Sequence, residues 1–324
     1  MSFLSYILPI IKIYLVGLKV LLVQMFSRAF RLPAMPRQDG RVAIVTGGAR
    51  GIGYEVVRHM AGLGARVIIG GRDEQEGLTA VRRIREEYRE AKVEFEQLDL
   101  ASLQSVRRFV QRFKGRGLPL NILINNAGVM LVPEGRTEDG FEQHLGVNYL
   151  GHLLLTWLLL DTLKDCGKRS SCSRVVNVSS SAHRAGRIRL DDLNGSRCYS
   201  AHGAYCQSKL ALLLFSSRLH DELQDGGFAV TSCAVDPGMV DTALYRHLWS
   251  PLRLAQSAVA RLLFRTPVEG AATVLYTALS PALEGERGGG YWSNGRREPT
   301  SPPTFDPALQ LGLREASRRL LGLQ

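Results

Sequence analysis

A tyrosine and a lysine four residues apart, Tyr205 and Lys209, are the residues of this chain best suited to proton transfer. They lie in the segment AYCQSKLALLLFSSRL, residues 204–219, whose composition predicts a helix. Residues four apart on a helix share one face, so the ammonium would lie one turn from the phenol. A free phenol has a pKa of roughly 10, and a nearby cation favours the phenolate. The pair could therefore act as a general acid and base near neutral pH.

A glycine-rich turn lies upstream, between a β-branched run at 42–45 that predicts a buried strand and an amphipathic segment that predicts a helix. A second predicted strand at 66–69 completes a β–turn–α–β unit. Glycines in such a turn let a pyrophosphate approach the helix N-terminus, where free N–H groups and the helix dipole favour anions. The unit therefore predicts a dinucleotide site. The spacing T-G-x-x-x-G-x-G is formed by Thr46, Gly47, Gly51 and Gly53.

Three further polar clusters each come directly after a predicted strand. Asp99 closes the run 93–100, two asparagines and a glycine end the run 121–128, and serines end the run 174–181. Ligands of an open parallel sheet bind beyond the carboxyl ends of its strands, where all these clusters would meet. Ordinary turn chemistry explains any one cluster but not their shared position. The pattern predicts an α/β fold with a doubly wound parallel sheet.

Together these motifs resemble those of the short-chain dehydrogenase/reductase superfamily, over roughly residues 41–292. They stand in family order as TGGARGIG, NNAG, GVNYLGH, VNVSSS, YCQSK and DPGMVDT. Within the superfamily, INNAGVM, NYLGHLLLT and AYCQSKLALLLF are similar to the retinol-dehydrogenase-like branch. The resemblance implies a single Rossmann-type domain, a nicotinamide cofactor, and an enzyme that interconverts a CH–OH group and the corresponding carbonyl.

The resemblance also implies roles for four catalytic residues. Tyr205 would exchange a proton with the substrate oxygen, while Lys209 would lower the tyrosine pKa and hold the nicotinamide ribose. Asn148 would position a water that relays protons to Lys209. Ser180, twenty-five residues before Tyr205, would hydrogen-bond the reacting oxygen, with its two serine neighbours as alternatives.

A larger set of residues would bind the cofactor if the resemblance holds. The glycine turn would hold the pyrophosphate, Asp99 would contact the adenine, Asn126 the adenosine side, and the segment 237–242 the nicotinamide. No metal is expected. The full set is Thr46, Gly47, Arg50, Gly51, Ile52, Gly53, Arg72, Asp99, Leu100, Asn126, Ala127, Gly128, Tyr205, Lys209, Pro237, Gly238 and Thr242.

The choice between NADP and NAD depends on the charges near the ribose 2′ position. An acidic residue at the end of the second strand usually binds a 2′-hydroxyl, whereas an arginine suits a 2′-phosphate. Arg72 comes directly after that strand and Arg50 lies in the glycine turn, and two guanidinium groups favour NADP. Asp73 leaves NAD open, if it rather than Arg72 faces the ribose. NADP is therefore the preferred cofactor.

Length and charge limit the classes of protein that fit. The chain has 324 residues, 45% of them hydrophobic, which suits one large α/β core without a second catalytic domain. Its net charge is +11, of which the segment 1–41 contributes +5, from six lysines and arginines against one aspartate. No basic stripe with interleaved aromatics is present, so a membrane surface or an anionic cofactor explains the charge better than nucleic acid. Five cysteines without ligand spacing indicate no disulfide framework.

The segment 3–26 is an apolar run interrupted by Lys12 and Lys19. It is long enough for a membrane anchor, while two lysines on one helical face also suit a helix lying in the interface. A cleaved signal peptide is the third option, but no small-x-small site comes after it. Basic residues at 28–41 favour a cytosolic position for the domain that begins there. We expect an anchor or interfacial helix at 1–27, a basic linker at 28–40, a dehydrogenase domain at 41–296 and a tail at 297–324.

The resemblance implies a lipid substrate. A second apolar stretch, 244–264, falls where the family places its substrate lid, near 241–266, and it either faces lipid and substrate or packs on the core. Polyprenol/polyprenal and dolichal/dolichol are preferred, with retinol/retinal or a general carbonyl as alternatives. The implied location is the endoplasmic reticulum membrane or a lipid droplet, with a homodimer as an option.

Two non-enzymatic alternatives remain at this point. A catalytically silent cofactor-binding scaffold would not need the set of Asn148, Ser180, Tyr205 and Lys209, which is complete here. A secreted binding protein would require cleavage of residues 1–26.

Overall fold

In the computed structural model, which describes residues 3–197, 199–241 and 263–323, one twisted sheet forms the centre of the molecule. Its described strands lie in the order β3-β2-β1-β4-β5-β6-β7-β8, and among them only β8 runs antiparallel to its neighbour. The order reverses between β1 and β4, as in a doubly wound Rossmann-type sheet, so the predicted fold class is confirmed. The strands are β1 Val42–Thr46, β2 Arg66–Gly71, β3 Val93–Gln97, β4 Ile122–Asn125, β5 Ser173–Val178, β6 Val230–Asp236, β7 Gly290–Ser293 and β8 Arg296–Glu298.

Helices cover both faces of this sheet and bury two apolar cores against it. Successive residues of β1 alternate between the cores, with Ile44 on one face and Val45 on the other. This alternation explains why the central strands are apolar throughout. The described helices are α1 Phe3–Phe26, α2 Gly51–Gly62, α3 Glu74–Glu87, α4 Leu103–Gly115, α5 Gly151–Cys166, α6 Ala201–Asp225, α7 Pro267–Leu279 and α8 Pro307–Leu320.

The residues before β1 pack on the rest of the chain. α1 lies against α6 and against the short 3₁₀ helix Ser181–Ala185. Beyond α1, the Phe30 N–H donates to Asn294 Oδ1 at 2.8 Å, and the Phe30 ring lies edge-on to Tyr276 with centroids 5.3 Å apart. No helix in the described part of the chain combines the length and apolar character needed to cross a membrane.

The C-terminal helix α8 covers α5 and α6 at the opposite end of the chain. The Arg314 guanidinium pairs with Glu222 at 2.6 Å, and the hydroxyls of Ser317 and Tyr149 lie 2.9 Å apart. Leu313 is buried in the core on this face of the sheet. The tail therefore forms part of the domain, on the face that does not carry α2, α3 and α7.

Candidate active site

A cavity of about 1020 Å³ lies at the carboxyl ends of the parallel strands. The segments that come after β1, β3, β4, β5 and β6 all contribute to its wall, as the position of the polar clusters predicts. Thr46 and Asn148 are fully buried behind this wall. Thr242 and residues 242–262 of the predicted lid lie outside the described residues. The predicted site residues that line the cavity are Gly47, Arg50, Gly51, Ile52, Gly53, Arg72, Asp99, Leu100, Asn126, Ala127, Gly128, Ser180, Tyr205, Lys209, Pro237 and Gly238.

The glycine turn is shaped as a cradle that side chains would fill. Gly47 and Gly51 have φ of 65° and 55°, a region that favours glycine. A Cβ on Gly53 would lie 2.3 Å from the Gly47 carbonyl oxygen and 2.6 Å from Asn126 Nδ2. The turn leads directly into the N-terminus of α2, whose free N–H groups suit an anion. These residues therefore fit the pyrophosphate of a dinucleotide.

Thr46 and Asn126 hold the base of this cradle together. Thr46 Oγ1 accepts from the backbone N–H groups of Asn126 at 2.9 Å and Ala127 at 3.0 Å. The Asn126 side-chain amide donates to the Thr46 carbonyl at 2.9 Å. The ends of β1 and β4 are thereby locked side by side, so both predicted residues act on the shape of the turn.

His152 also supports the underside of the glycine turn, through Thr46, and this role was not predicted. Its Nδ1 lies 3.1 Å from the backbone carbonyl of Asn148, which can only accept, so Nδ1 carries the proton. The Nε2 atom is then the acceptor for the Thr46 hydroxyl at 2.9 Å. Complete burial lowers the pKa of His152 to about 4. The only signal in the sequence is its position four residues after Asn148, one helical turn away.

Lys209 lies next to Tyr205, as the four-residue spacing predicts. Its Nζ is 5.9 Å from the centre of the Tyr205 ring and donates to the Val178 carbonyl at 2.8 Å. Burial lowers the pKa of Lys209 to about 8, and the nearby Asp236 carboxylate opposes that shift. The lysine is therefore still mostly charged at neutral pH. A buried ammonium of this kind favours the phenolate form of the neighbouring tyrosine.

The serines after β5 have different environments. Ser179 donates its hydroxyl to the Lys209 backbone carbonyl at 3.0 Å and so ties the strand end to α6. All three serines line the cavity, and the Ser180 Oγ accepts from the Ala182 N–H at 3.2 Å. That bond leaves the Ser180 hydroxyl proton available to a substrate oxygen. The geometry is consistent with Ser180 as the predicted substrate-binding serine.

Asn148 lies in a π-helical turn, Leu145–Leu150, just before α5. Its Oδ1 accepts from the Val129 N–H at 2.8 Å, and its Nδ2 donates to the Val129 carbonyl and to Ser208 Oγ, both at 3.0 Å. The side chain therefore joins the loop after β4 to α6 beside Lys209. Its predicted use in positioning a relay water stays a prediction.

The loop after β6 is held from both sides. Asp236 accepts from the Gly238 N–H at 2.9 Å and from the Tyr291 hydroxyl at 3.0 Å. Gly238 has a φ of 82°, which favours glycine. The Met239 N–H donates to Gln24 Oε1 at 2.7 Å, so α1 also supports the loop. These contacts fix Pro237 and Gly238 along the cavity.

Charged side chains surround the end of the cavity that lies beside the glycine turn and the end of β2. Arg50 pairs with Glu76 at 3.2 Å. The Asp73 carboxylate accepts from the Glu76 N–H at 2.9 Å and caps α3. Arg72, which is exposed, lines the same end. Arg72 therefore lines this end of the cavity beside Asp73, whose carboxylate is already hydrogen-bonded.

Residues 41–252 match the family model described as short chain dehydrogenase. The chain belongs to this family. Polyprenol dehydrogenase of Danio rerio is 58% identical over 98% of this chain and 98% of its own, and that of Homo sapiens is 47% identical over 100% and 98%. Retinol dehydrogenase 12 of Homo sapiens is 43% identical over 88% of this chain and 87% of its own.

Solved structures share the same fold. A protein from Mycobacterium Paratuberculosis superposes with a TM-score of 0.70 at 34% identity, over 90% of this chain and 96% of that one. Pseudomonas aeruginosa RhlG, in an active-site complex with NADP, superposes with a TM-score of 0.63 at 27% identity, over 79% of this chain and 95% of that one.

The chain is thus a short-chain dehydrogenase that uses a nicotinamide cofactor, and the predicted family and enzyme class are confirmed. That result removes the scaffold alternative.

Proposed function

We propose that this short-chain dehydrogenase interconverts a long isoprenoid alcohol and its aldehyde, with polyprenol/polyprenal and dolichal/dolichol as substrates. The observation that carries the proposal is the match to polyprenol dehydrogenases over 98% and 100% of the chain. That match includes α1, which lines the cavity next to Tyr205. Apolar side chains such as Ile13, Met130 and Leu131 pack there and suit a hydrocarbon chain.

The side chains at the cavity account for the proton transfer. In alcohol oxidation the Tyr205 phenolate accepts the hydroxyl proton, and in aldehyde reduction the phenol returns it to the carbonyl oxygen. Ser180 donates a hydrogen bond to that oxygen in both directions, and Lys209 stabilises the phenolate. A nicotinamide held by the glycine turn and by residues 237–238 would supply the hydride chemistry, which takes hydride from the carbinol carbon in oxidation and adds it to the carbonyl carbon in reduction.

NADP is the cofactor that we propose, with NAD as the alternative. Support comes from Arg72 at the end of the cavity beside the glycine turn and from Asp73, whose carboxylate already caps α3. Titration of the protein with NADPH and NADH, monitored by nicotinamide fluorescence, tests this preference. Arg72→Gln should weaken NADPH binding and leave NADH binding nearly unchanged, because only NADPH carries a 2′-phosphate. Equal weakening of both would contradict the assignment.

We also propose that the protein associates with a membrane, at the endoplasmic reticulum or a lipid droplet, with the catalytic domain in the cytosol. The outer face of α1 supports this, since Leu15 is 60% exposed and Phe26 85% exposed. Flotation with phosphatidylcholine/phosphatidylserine vesicles tests it. Phe26→Glu should reduce binding. Phe228→Glu should not, because Phe228 is 42% exposed and comes just before β6, at the edge of the sheet opposite the cavity that α1 lines. Wild-type protein that does not float with the vesicles would contradict the proposal.

The homodimer that the sequence left as an option is a separate prediction, which native mass spectrometry tests.

The substrate class is tested by turnover of purified protein with polyprenol, dolichal and retinol, each with NAD(H) and NADP(H). We expect the long isoprenoids to react with the highest kcat/KM. Retinol/retinal is the second candidate, which the 43% identity to retinol dehydrogenase 12 favours. Activity on retinoids alone would replace the isoprenoid proposal, and no activity on either class would refute it.

A further inference from the structure

One face of α1 forms part of the cavity wall. Ile13, Tyr14, Gly17 and Leu21 line the cavity, and their spacing of three to four residues puts them on one stripe of the helix. Ile13 packs against the cluster that contains Tyr205. The Tyr14 ring lies 5.8 Å from the ring of His202, which precedes Tyr205 by one turn of α6. The helix that the sequence assigns to the membrane therefore also contacts the catalytic side of the cavity.

Gln24 fixes the end of this helix to the loop after β6. Its Oε1 accepts from the Met239 N–H at 2.7 Å, and its Nε2 donates to the carbonyls of Met239 at 3.3 Å and Leu263 at 3.4 Å. The side-chain amide thus pairs with the Met239 backbone much as a neighbouring strand would. These bonds fix the position of α1 relative to the loop that carries Pro237 and Gly238, and so relative to the cavity.

Gly17 is the position on the inner stripe where the wall has no side chain. A Cβ built there meets nothing within 4 Å, although Gly17 lines the cavity. Glycine costs helix stability relative to other residues, so its presence in the middle of a 24-residue helix calls for a local reason. The open space beside it, between the larger neighbours Ile13 and Leu21, supplies one.

We propose that the inner face of α1 selects the substrate, and that the gap at Gly17 accommodates the chain of a long isoprenoid beyond its reacting carbon. The inference rests on the proposed function, because it names the part of the protein that recognises this substrate. It makes Gly17 a specificity-determining residue and Gln24 a positioning residue. The outer face of the same helix, with Leu15 and Phe26, is left for the membrane.

The test places one tryptophan on each face of α1. Gly17→Trp fills the gap, whereas Leu15→Trp places the same side chain at a position that is 60% exposed and does not line the cavity. In detergent micelles, kcat/KM is measured with a long-chain polyprenal and with geranial, a short isoprenoid aldehyde, using NADPH. NADPH binding and the melting temperature of each variant report on folding. Gly17→Leu, which restores a good helix former, replaces the tryptophan variant if that one does not fold.

We expect Gly17→Trp to lower the kcat/KM for polyprenal about tenfold relative to geranial, as overpacking of a cavity does, and Leu15→Trp to leave the ratio unchanged. NADPH binding should stay as in the wild type. An unchanged ratio in the Gly17 variants of an active enzyme would refute the inference and leave the proposed function intact. Wild-type protein that turns over neither aldehyde would refute the proposed function, and the inference with it.

Discussion

The buried His152 makes a specific prediction about stability and pH. In the folded chain burial lowers its pKa to about 4, from an ordinary value of 6.5. Between these values the unfolded chain binds a proton at His152 and the folded chain does not, so stability falls as the pH falls. From the two pKa values, the loss attributable to His152 between pH 7 and pH 5 is about 2 kcal/mol. This pH dependence fades as the pH rises above 6.5, where the unfolded chain also loses the proton.

His152→Phe isolates this effect, since phenylalanine keeps a ring of similar shape and does not titrate. The variant should be less stable at pH 7 by about 1–3 kcal/mol, because the Thr46 hydroxyl and the Asn148 carbonyl lose their partner. At pH 5 the difference from the wild type should shrink or change sign, since only the wild type has lost the His152 contribution. Urea unfolding at both pH values measures this, with the half-exposed His59→Phe as a control expected to change less. A wild-type-minus-variant difference that is the same at both pH values would refute the assignment of a neutral His152.

Three more predictions rest on single contacts. Gly53→Ala should weaken NADPH binding about tenfold or more in a fluorescence titration, because its Cβ would lie 2.3 Å from the Gly47 oxygen. The control Gly115→Ala should bind NADPH normally, because a Cβ at Gly115 meets no atom within 4 Å. Lys209→Met should lower kcat/KM for alcohol oxidation about a hundredfold or more, and a loss below about threefold would contradict its role. Arg174→Met should lower the unfolding free energy by about 3 kcal/mol, because Glu284 and two buried carbonyls lose their hydrogen-bond donor. A melting temperature equal to that of the wild type would contradict this prediction.

The sequence predicted the parts of the site that depend on the topology of the sheet. The strand-like runs ending in Asp99, Asn126 and Ser180 were expected at one edge, and all three residues line one cavity. The four-residue spacing of Tyr205 and Lys209 likewise gave their relative position, because α6 is a regular helix. Local patterns were sufficient here, since a parallel sheet leaves little choice about where its strand ends meet.

Other parts of the site depend on contacts between distant segments, which no local pattern contains. The apolar residues of α1 indicated a helix for the membrane, but not that Gly17 lines the cavity or that Gln24 binds Met239, 215 residues away. The spacing of His152 from Asn148 fits one helical turn, but nothing in the sequence indicated that its other ring nitrogen meets the Thr46 hydroxyl, 106 residues away. The number of residues between two groups in sequence does not predict such pairings.

We propose that Tyr205 performs proton transfer on a lipid alcohol, and a comparison of two tyrosine variants tests this role. NADP reduction with polyprenol is measured for the wild type, for Tyr205→Phe and for Tyr199→Phe, which removes the phenol six residues before Tyr205 that does not line the cavity. Loss of the Tyr205 hydroxyl should lower kcat by about 100-fold to 10,000-fold, and Tyr199→Phe should stay active. Equal rates for Tyr205→Phe and the wild type would contradict the role of the Tyr205 hydroxyl in proton transfer.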